Sequence, residues 1–130
     1  MRILIVEDDF INRKILHTIC QKYGECDVAV DGNEAVKAFR FSLHEKNRYD
    51  LICLDIMMPG KDGYQVLKEI REIESNNRID GFSATKIIMT TALGDSKHIF
   101  KAFREQCEAY LIKPVEEEKL VAVMKDLGLV

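Results

Sequence analysis

Asp50-Leu51-Ile52-Cys53-Leu54-Asp55 holds four apolar residues in a row between two aspartates. A run of that length suits a β-strand, and its unbroken apolarity suits a strand covered on both faces, as in a parallel sheet packed between helices. Similar short runs stand on either side of it, at Ile3–Val6, Asp27–Val30, Ile87–Met89 and Tyr110–Ile112. Between the runs the apolar period becomes helical. Ile11, Ile15, Leu16, Ile19 and Cys20 share one face of a first helix. Ala35, Val36, Phe39 and Leu43 share one face of a second, with Asp31 placed to cap its start.

A third helix is marked by Val66, Leu67, Ile70 and Ile73 and opened by Asp62-Gly63. Ile99, Phe100 and Phe103 mark a fourth; Leu120, Val121, Met124 and Leu127 mark a fifth, with Pro114 just before it, where a proline does no harm. Strict alternation of strand and helix predicts an α/β fold with right-handed crossovers and a parallel sheet. Five units are too few for an eight-stranded barrel, so the sheet is expected to be open and doubly wound. Ser42–Arg48 and Glu74–Thr85 read as exposed loops or frayed helix ends. With no internal repeat or linker, residues 1–130 read as one domain.

Composition excludes several classes. The chain is 47% hydrophobic and 32% charged, ordinary for a soluble globular domain. A net charge of −3 argues against direct nucleic-acid binding, which calls for a basic patch. No apolar run approaches the roughly 20 residues needed to span a bilayer. The N-terminus turns acidic at Glu7 without a secretory pattern, so a cytoplasmic protein without a membrane association is expected. Cys20, Cys26, Cys53 and Cys107 lack CxxC spacing and a following zinc-ligand histidine; Cys53 reads as a small buried hydrophobe. His17, His44 and His98 are scattered and read as surface residues.

Ligands of open α/β sheets bind beyond the carboxyl ends of the strands. After the first run come Glu7, Asp8 and Asp9, after the third Asp55, after the fourth Thr90 and Thr91, and after the fifth Lys113. Taken singly, each has a plain explanation: an acid before a helix caps it, a threonine suits a strand, a lysine meets water. Together they place acids, hydroxyls and an amine on one edge. Clustered carboxylates repel unless a cation relieves them, and oxygen-only donors beside a phosphate suit Mg²⁺. Lys113 can neutralise phosphate oxygens, a threonine hydroxyl can donate to one, and Asp55 can serve as the nucleophile that forms an aspartyl phosphate.

The motifs Ile3-Leu4-Ile5-Val6-Glu7-Asp8-Asp9, Asp31-Gly32-Asn33-Glu34-Ala35 and Asp50-Leu51-Ile52-Cys53-Leu54-Asp55 occur in that order. Met58-Pro59-Gly60-Lys61-Asp62-Gly63, Ile87-Ile88-Met89-Thr90-Thr91-Ala92 and Tyr110-Leu111-Ile112-Lys113-Pro114 follow. With all six, the chain resembles the response-regulator receiver family from Ile3 to about Leu127. The resemblance implies a flavodoxin-like (βα)5 fold of strand order 2-1-3-4-5. It implies that Asp55 is the phosphoacceptor and that Glu7, Asp8, Asp55 and the Met57 carbonyl hold Mg²⁺, Asp8 directly and Glu7 directly or through water. Thr91 matches the switch hydroxyl, Lys113 the lysine that contacts the phosphoryl group, and Tyr110 the aromatic whose ring moves inward. The Lys113–Pro114 bond is cis in such proteins. Lys61 departs from the family's commoner methionine, and the Glu74–Thr85 connection is longer than usual. The apolar Met57 and Leu93 lie two residues after Asp55 and Thr91, positions that in the family help set how long the phosphoryl group survives.

By the same resemblance the donor is a sensor histidine kinase or histidine phosphotransfer protein. The readout is a downstream effector protein or output domain on the face of the fourth helix, fifth strand and fifth helix, around Lys97, Lys101, Arg104, Tyr110 and Lys119. Such a domain is not an enzyme in the usual sense, catalysing only its own phosphorylation and dephosphorylation. Other readings fit less well. A haloacid-dehalogenase-like phosphatase needs a second acid where Met57 stands. A nucleotide-binding enzyme needs a P-loop or GxGxxG, and a flavodoxin-like electron carrier needs a Ser/Thr-rich phosphate loop after the first strand. A receiver-like module that never meets phosphate has no use for the acids, Asp55, Thr91 and Lys113 together.

Overall fold

Five parallel strands lie in the order β2-β1-β3-β4-β5. They belong to a computed structural model of the chain that describes residues 1–92 and 107–130. The strands are β1 (Arg2–Val6), β2 (Glu25–Ala29), β3 (Leu51–Asp55), β4 (Lys86–Thr91) and β5 (Ala109–Ile112). The helices are α1 (Phe10–Cys20), α2 (Gly32–His44), α3 (Gly63–Asn76) and, after β5, α4 (Glu117–Asp126). The expected helix around Ile99, Phe100 and Phe103 lies outside the described residues, as do Leu93, Lys97, His98, Lys101 and Arg104. The α/β class expected from the alternation and the strand order implied by the resemblance are both present.

Every residue of β3 is buried, which is why its sequence carries no polar alternation. Leu51 and Cys53 pack with Ile3, Ile5, Leu16, Ile19 and Leu120 on one face of the sheet. Ile52 and Leu54 pack with Phe39, Val66, Leu67 and Ile70 on the other. β2 runs from Glu25 to Ala29, beginning two residues before the apolar run because Arg2 of β1 pairs with Glu25. It is an edge strand and largely exposed, so its pattern is weak.

The first three helix starts are set by side chains. Asp9, Asp31 and Asp62 cap α1, α2 and α3 by accepting from Asn12 N, Glu34 N and Gln65 N. Asp62 and Gln65 form a reciprocal capping box. Ile11, expected on the buried face of α1, is 63% exposed. It stands one turn before the half-buried Ile15, in the first turn of the helix.

The expectation of a frayed stretch after Ile73 needs correction. α3 continues to Asn76, and Glu74 is buried. Glu74 accepts from Thr85 N at 2.7 Å and from Arg71 Nη1 at 2.7 Å. Arg71 also donates to Thr85 O and bridges to Glu108, which in turn accepts from Ile87 N. The long connection is thus pinned at both ends by one charge-assisted network. All four cysteines are free, with Cys20, Cys53 and Cys107 buried. His44 is exposed, while His17 is only half-exposed.

Candidate functional site

The carboxyl ends of β1, β3, β4 and β5 bring the sequence-selected groups to one edge. Glu7 follows β1 and is fully buried; Asp8 beside it is exposed. Asp55 is the last residue of β3 and is buried. Lys113 follows β5, and its backbone N–H donates to Thr91 O at 2.7 Å, tying the ends of β4 and β5 together. The Lys113–Pro114 bond is cis.

One cation serves two carboxylates. Lys113 Nζ lies 2.5 Å from Glu7 Oε1 and 2.9 Å from Asp55 Oδ1. Asp55 Oδ1 also accepts from Met57 N at 3.3 Å. Asp55 Oδ2 is buried and has no hydrogen-bond partner among the described residues. Burial pushes the Asp55 carboxyl up to about 8, the adjacent Glu7 adds to the rise, and Lys113 opposes it. Burial alone would lower the Lys113 ammonium, but its bonds to Glu7 and Asp55 outweigh this and hold it above the ordinary lysine value.

Carboxylate oxygens of Glu7, Asp8 and Asp55 all lie within 4.8 Å of one another. That spacing fits a divalent cation, and donors that are all oxygen suit Mg²⁺. Asp9 is not part of the cluster; its side chain is taken up in capping α1. Met57 is 57% exposed, with its backbone beside Asp55.

The two threonines separate. Thr90 pairs in register with Asp55, is buried, and its hydroxyl has no hydrogen-bond partner among the described residues. Thr91 ends β4 one residue later and is buried. Tyr110, paired with Met89, is half-buried against the core on the α2–α3 side of the sheet. Of the expected readout surface, Tyr110 and the exposed Lys119, ion-paired with Glu116 at 3.7 Å, are the described members.

Two neighbours of the site were not legible as such. Gly63 N donates to Ile56 O at 2.9 Å, and a Cβ on Gly63 would lie 2.3 Å from Asp55 O. Arg13 donates to the carbonyl oxygens of Glu7 and Asp8. The dipeptide Asp62-Gly63 signalled a helix start, but a close backbone approach depends on where α3 docks. Nothing in the sequence marks Arg13.

The family model of the response regulator receiver domain matches residues 3–125. The chain belongs to that family. This receiver domain is 36% identical over 115 residues to the regulatory protein VanRB of Enterococcus faecalis, covering 88% of this chain and 46% of that protein. The receiver domain of the histidine kinase CKI1 from Arabidopsis thaliana, complexed with Mg²⁺ and BeF₃⁻, superposes with a TM-score of 0.83 at 25% identity. That match covers 98% of this chain and 89% of the other. The CheX-CheY-BeF₃-Mg complex of Borrelia burgdorferi contains a match of TM-score 0.82 at 28% identity, covering 98% and 89%. The chain spans about half the length of the curated relatives it matches. It is thus a response regulator receiver domain of two-component signalling, a family of signalling domains. Among the described residues no helix is long and apolar enough to cross a membrane.

Proposed function

We propose that residues 1–130 form one cytoplasmic receiver domain in which Asp55 accepts a phosphoryl group from a phosphohistidine, in the presence of Mg²⁺, and thereby changes a partner-binding surface. The observation that carries this reading is Asp55 itself. It is a buried carboxylate with one oxygen on a lysine and the other unpartnered among the described residues, within 4.8 Å of two further acids.

Lys113 and the Met57 N–H hold Oδ1, which leaves Oδ2 as the oxygen that attacks phosphorus. The new O–P bond forms as the P–N bond of the donor imidazole breaks, and the nitrogen keeps the electron pair. The donor is a sensor histidine kinase or a histidine phosphotransfer protein. Glu7, Asp8, Asp55 and the Met57 carbonyl are the groups that hold Mg²⁺, which supplies charge neutralisation on the phosphoryl oxygens. Lys113 passes from Asp55 to a phosphoryl oxygen without leaving its place. Attack of water on phosphorus then breaks the O–P bond, returning the Asp55 carboxylate and releasing inorganic phosphate, so the domain's own phosphorylation and dephosphorylation are the reactions it performs.

The phosphorylated side chain carries more charge and more acceptor oxygens than a carboxylate. Thr91 donates its hydroxyl to one of them, and Tyr110 packs inward against the core on which it already rests. Moving the population from 1:99 to 99:1 takes ~5.5 kcal/mol. Two or three charge-assisted hydrogen bonds at roughly 1.5–3 kcal/mol each supply it. The altered surface of the fourth predicted helix, β5 and α4 is read by an effector protein or an output domain. The borrelial structure, in which a CheY is bound to CheX with BeF₃ and Mg, supports a partner readout of this kind.

Incubation with Mg²⁺ and acetyl phosphate, read by intact mass beside Asp55→Asn, tests the reading. One phosphoryl group that requires Mg²⁺ and is absent from the variant is expected. A variant that gains phosphate as readily as the native chain overturns the assignment of Asp55.

A further inference from the structure

Asp8 is the exposed acid of the site, so packing does not orient it. Glu7, by contrast, is buried and tethered to Lys113. What borders Asp8 is Arg13, one turn into α1. Its Nη1 donates to Glu7 O at 2.9 Å and to Asp8 O at 3.3 Å. The guanidinium also lies over the Phe10 ring, 5.6 Å from its centroid, which limits its own freedom.

The two carbonyls belong to the peptide planes on either side of the Asp8 α-carbon. One nitrogen bonded to both fixes those planes relative to each other, and with them the direction in which the Asp8 side chain leaves the backbone. We propose that Arg13 is a positioning residue for divalent-cation binding, holding Asp8 toward Glu7 and Asp55; this rests on the Mg²⁺ reading above. Arg13 touches neither the phosphoryl group nor the cation.

The sign of the effect separates positioning from simple charge. Removing a positive charge beside an acidic cluster strengthens cation binding through Coulomb's law. Removing the brace weakens it, because Asp8 must then be ordered when the cation arrives. Lys14 is the control: it is the next residue on α1, exposed, and carries the same charge with no bond to the acidic loop among the described contacts.

The experiment is calorimetric titration of the unphosphorylated protein with MgCl₂, comparing the native chain with Arg13→Met, Arg13→Lys and Lys14→Met. Arg13→Met keeps the apolar stem and loses the donors; Arg13→Ala stands in should it fail to fold. Arg13→Met is expected to bind Mg²⁺ about tenfold more weakly, ~1.4 kcal/mol. Arg13→Lys should recover to within about threefold and Lys14→Met should stay level or tighten. In acetyl phosphate labelling, the Mg²⁺ concentration for half-maximal rate should rise in Arg13→Met far more than the rate at saturating Mg²⁺ falls. Native affinity in Arg13→Met, or an equal loss in Lys14→Met, overturns the proposal while leaving the metal site intact. Absence of Mg²⁺ binding by the native chain overturns the metal reading itself, and this inference with it.

Discussion

Lys113 Nζ lies 2.9 Å from Asp55 Oδ1, and the opposite oxygen of the same carboxylate is buried with no hydrogen-bond partner among the described residues. The lysine therefore meets only one oxygen of a desolvated carboxyl group, and Glu7, 2.5 Å from the same ammonium, competes for it. A site with two buried acids and one cation is under electrostatic load before any ligand arrives. Added positive charge would relieve it, which is the electrostatic ground for the proposed Mg²⁺ site.

That load sets a pH dependence. Asp55 is pushed up to about 8, chiefly by burial, whereas in the unfolded chain an aspartate titrates near ~4. Between those values the folded state keeps a proton that the unfolded state releases, so rising pH favours unfolding. The steepest loss for one such group is about 1.4 kcal/mol per pH unit. Lys113, raised above its ordinary value, contributes stability that persists through this window and is lost only at higher pH. Urea unfolding in EDTA between about pH 5 and pH 8 should show the native protein losing stability with pH more steeply than Asp55→Asn. Parallel curves would exclude Asp55 as the titrating group.

At Gly63 the expected sign runs against helix propensity. Replacing glycine by alanine in a helix ordinarily gains roughly 0.5–1 kcal/mol. Here the new Cβ would meet Asp55 O at 2.3 Å and Ile56 Cα at 2.8 Å, both backbone atoms that cannot swing aside. Overpacking of this kind costs about 1–3 kcal/mol, so Gly63→Ala should be net destabilising. Because relief requires the end of β3 to shift, labelling of Asp55 should slow as well. A thermal midpoint at or above the native one would show that the α3 junction yields freely.

Glu74 offers a prediction remote from the acidic edge. Its buried carboxylate holds Arg71 and the Thr85 N–H, each at 2.7 Å. Glu74→Ala strips the partly buried Arg71 of one partner and leaves the buried Thr85 amide unsatisfied, a loss of about 3 kcal/mol. Denaturant unfolding at neutral pH measures it. A loss below ~1 kcal/mol would mean that the Arg71–Glu108 bridge holds the connection by itself.

These cases also mark what a single sequence discloses. The Leu51–Leu54 run was readable because a strand buried on both faces has no polar positions to blur it. Asp55 and Lys113 were readable because strand ends are fixed by local pattern, and the parallel sheet brings those ends together. Glu74 was not, because a glutamate near a helix end reads as solvated until Thr85 and Arg71 are seen to close on it. Ile11 obeys the helical period yet is exposed in the first turn of α1. Gly63 and Arg13 act on backbone atoms, which carry no side-chain signature. Periodicity reports which face is apolar, whereas contacts depend on how far each element extends and where it docks.

Thr90 and Thr91 provide the sharpest test of the switch, since they are adjacent and chemically identical. Thr90 is opposite Asp55 in register, and its buried hydroxyl has no hydrogen-bond partner among the described residues. An unsatisfied buried hydroxyl costs about 1 kcal/mol or more, so Thr90→Val, which replaces it by a methyl of similar shape, should stabilise the protein by about that amount. Its response to beryllofluoride and Mg²⁺ should persist, because that hydroxyl is not the one proposed to meet the phosphoryl group. Thr91→Val should still be labelled at Asp55 but should lose most of the change at Tyr110, followed by ring resonances in NMR spectra. Loss of the Tyr110 response in Thr90→Val with retention in Thr91→Val would reverse the roles of the pair. It would place the switch on the residue paired with Asp55 rather than on the one that ends the strand.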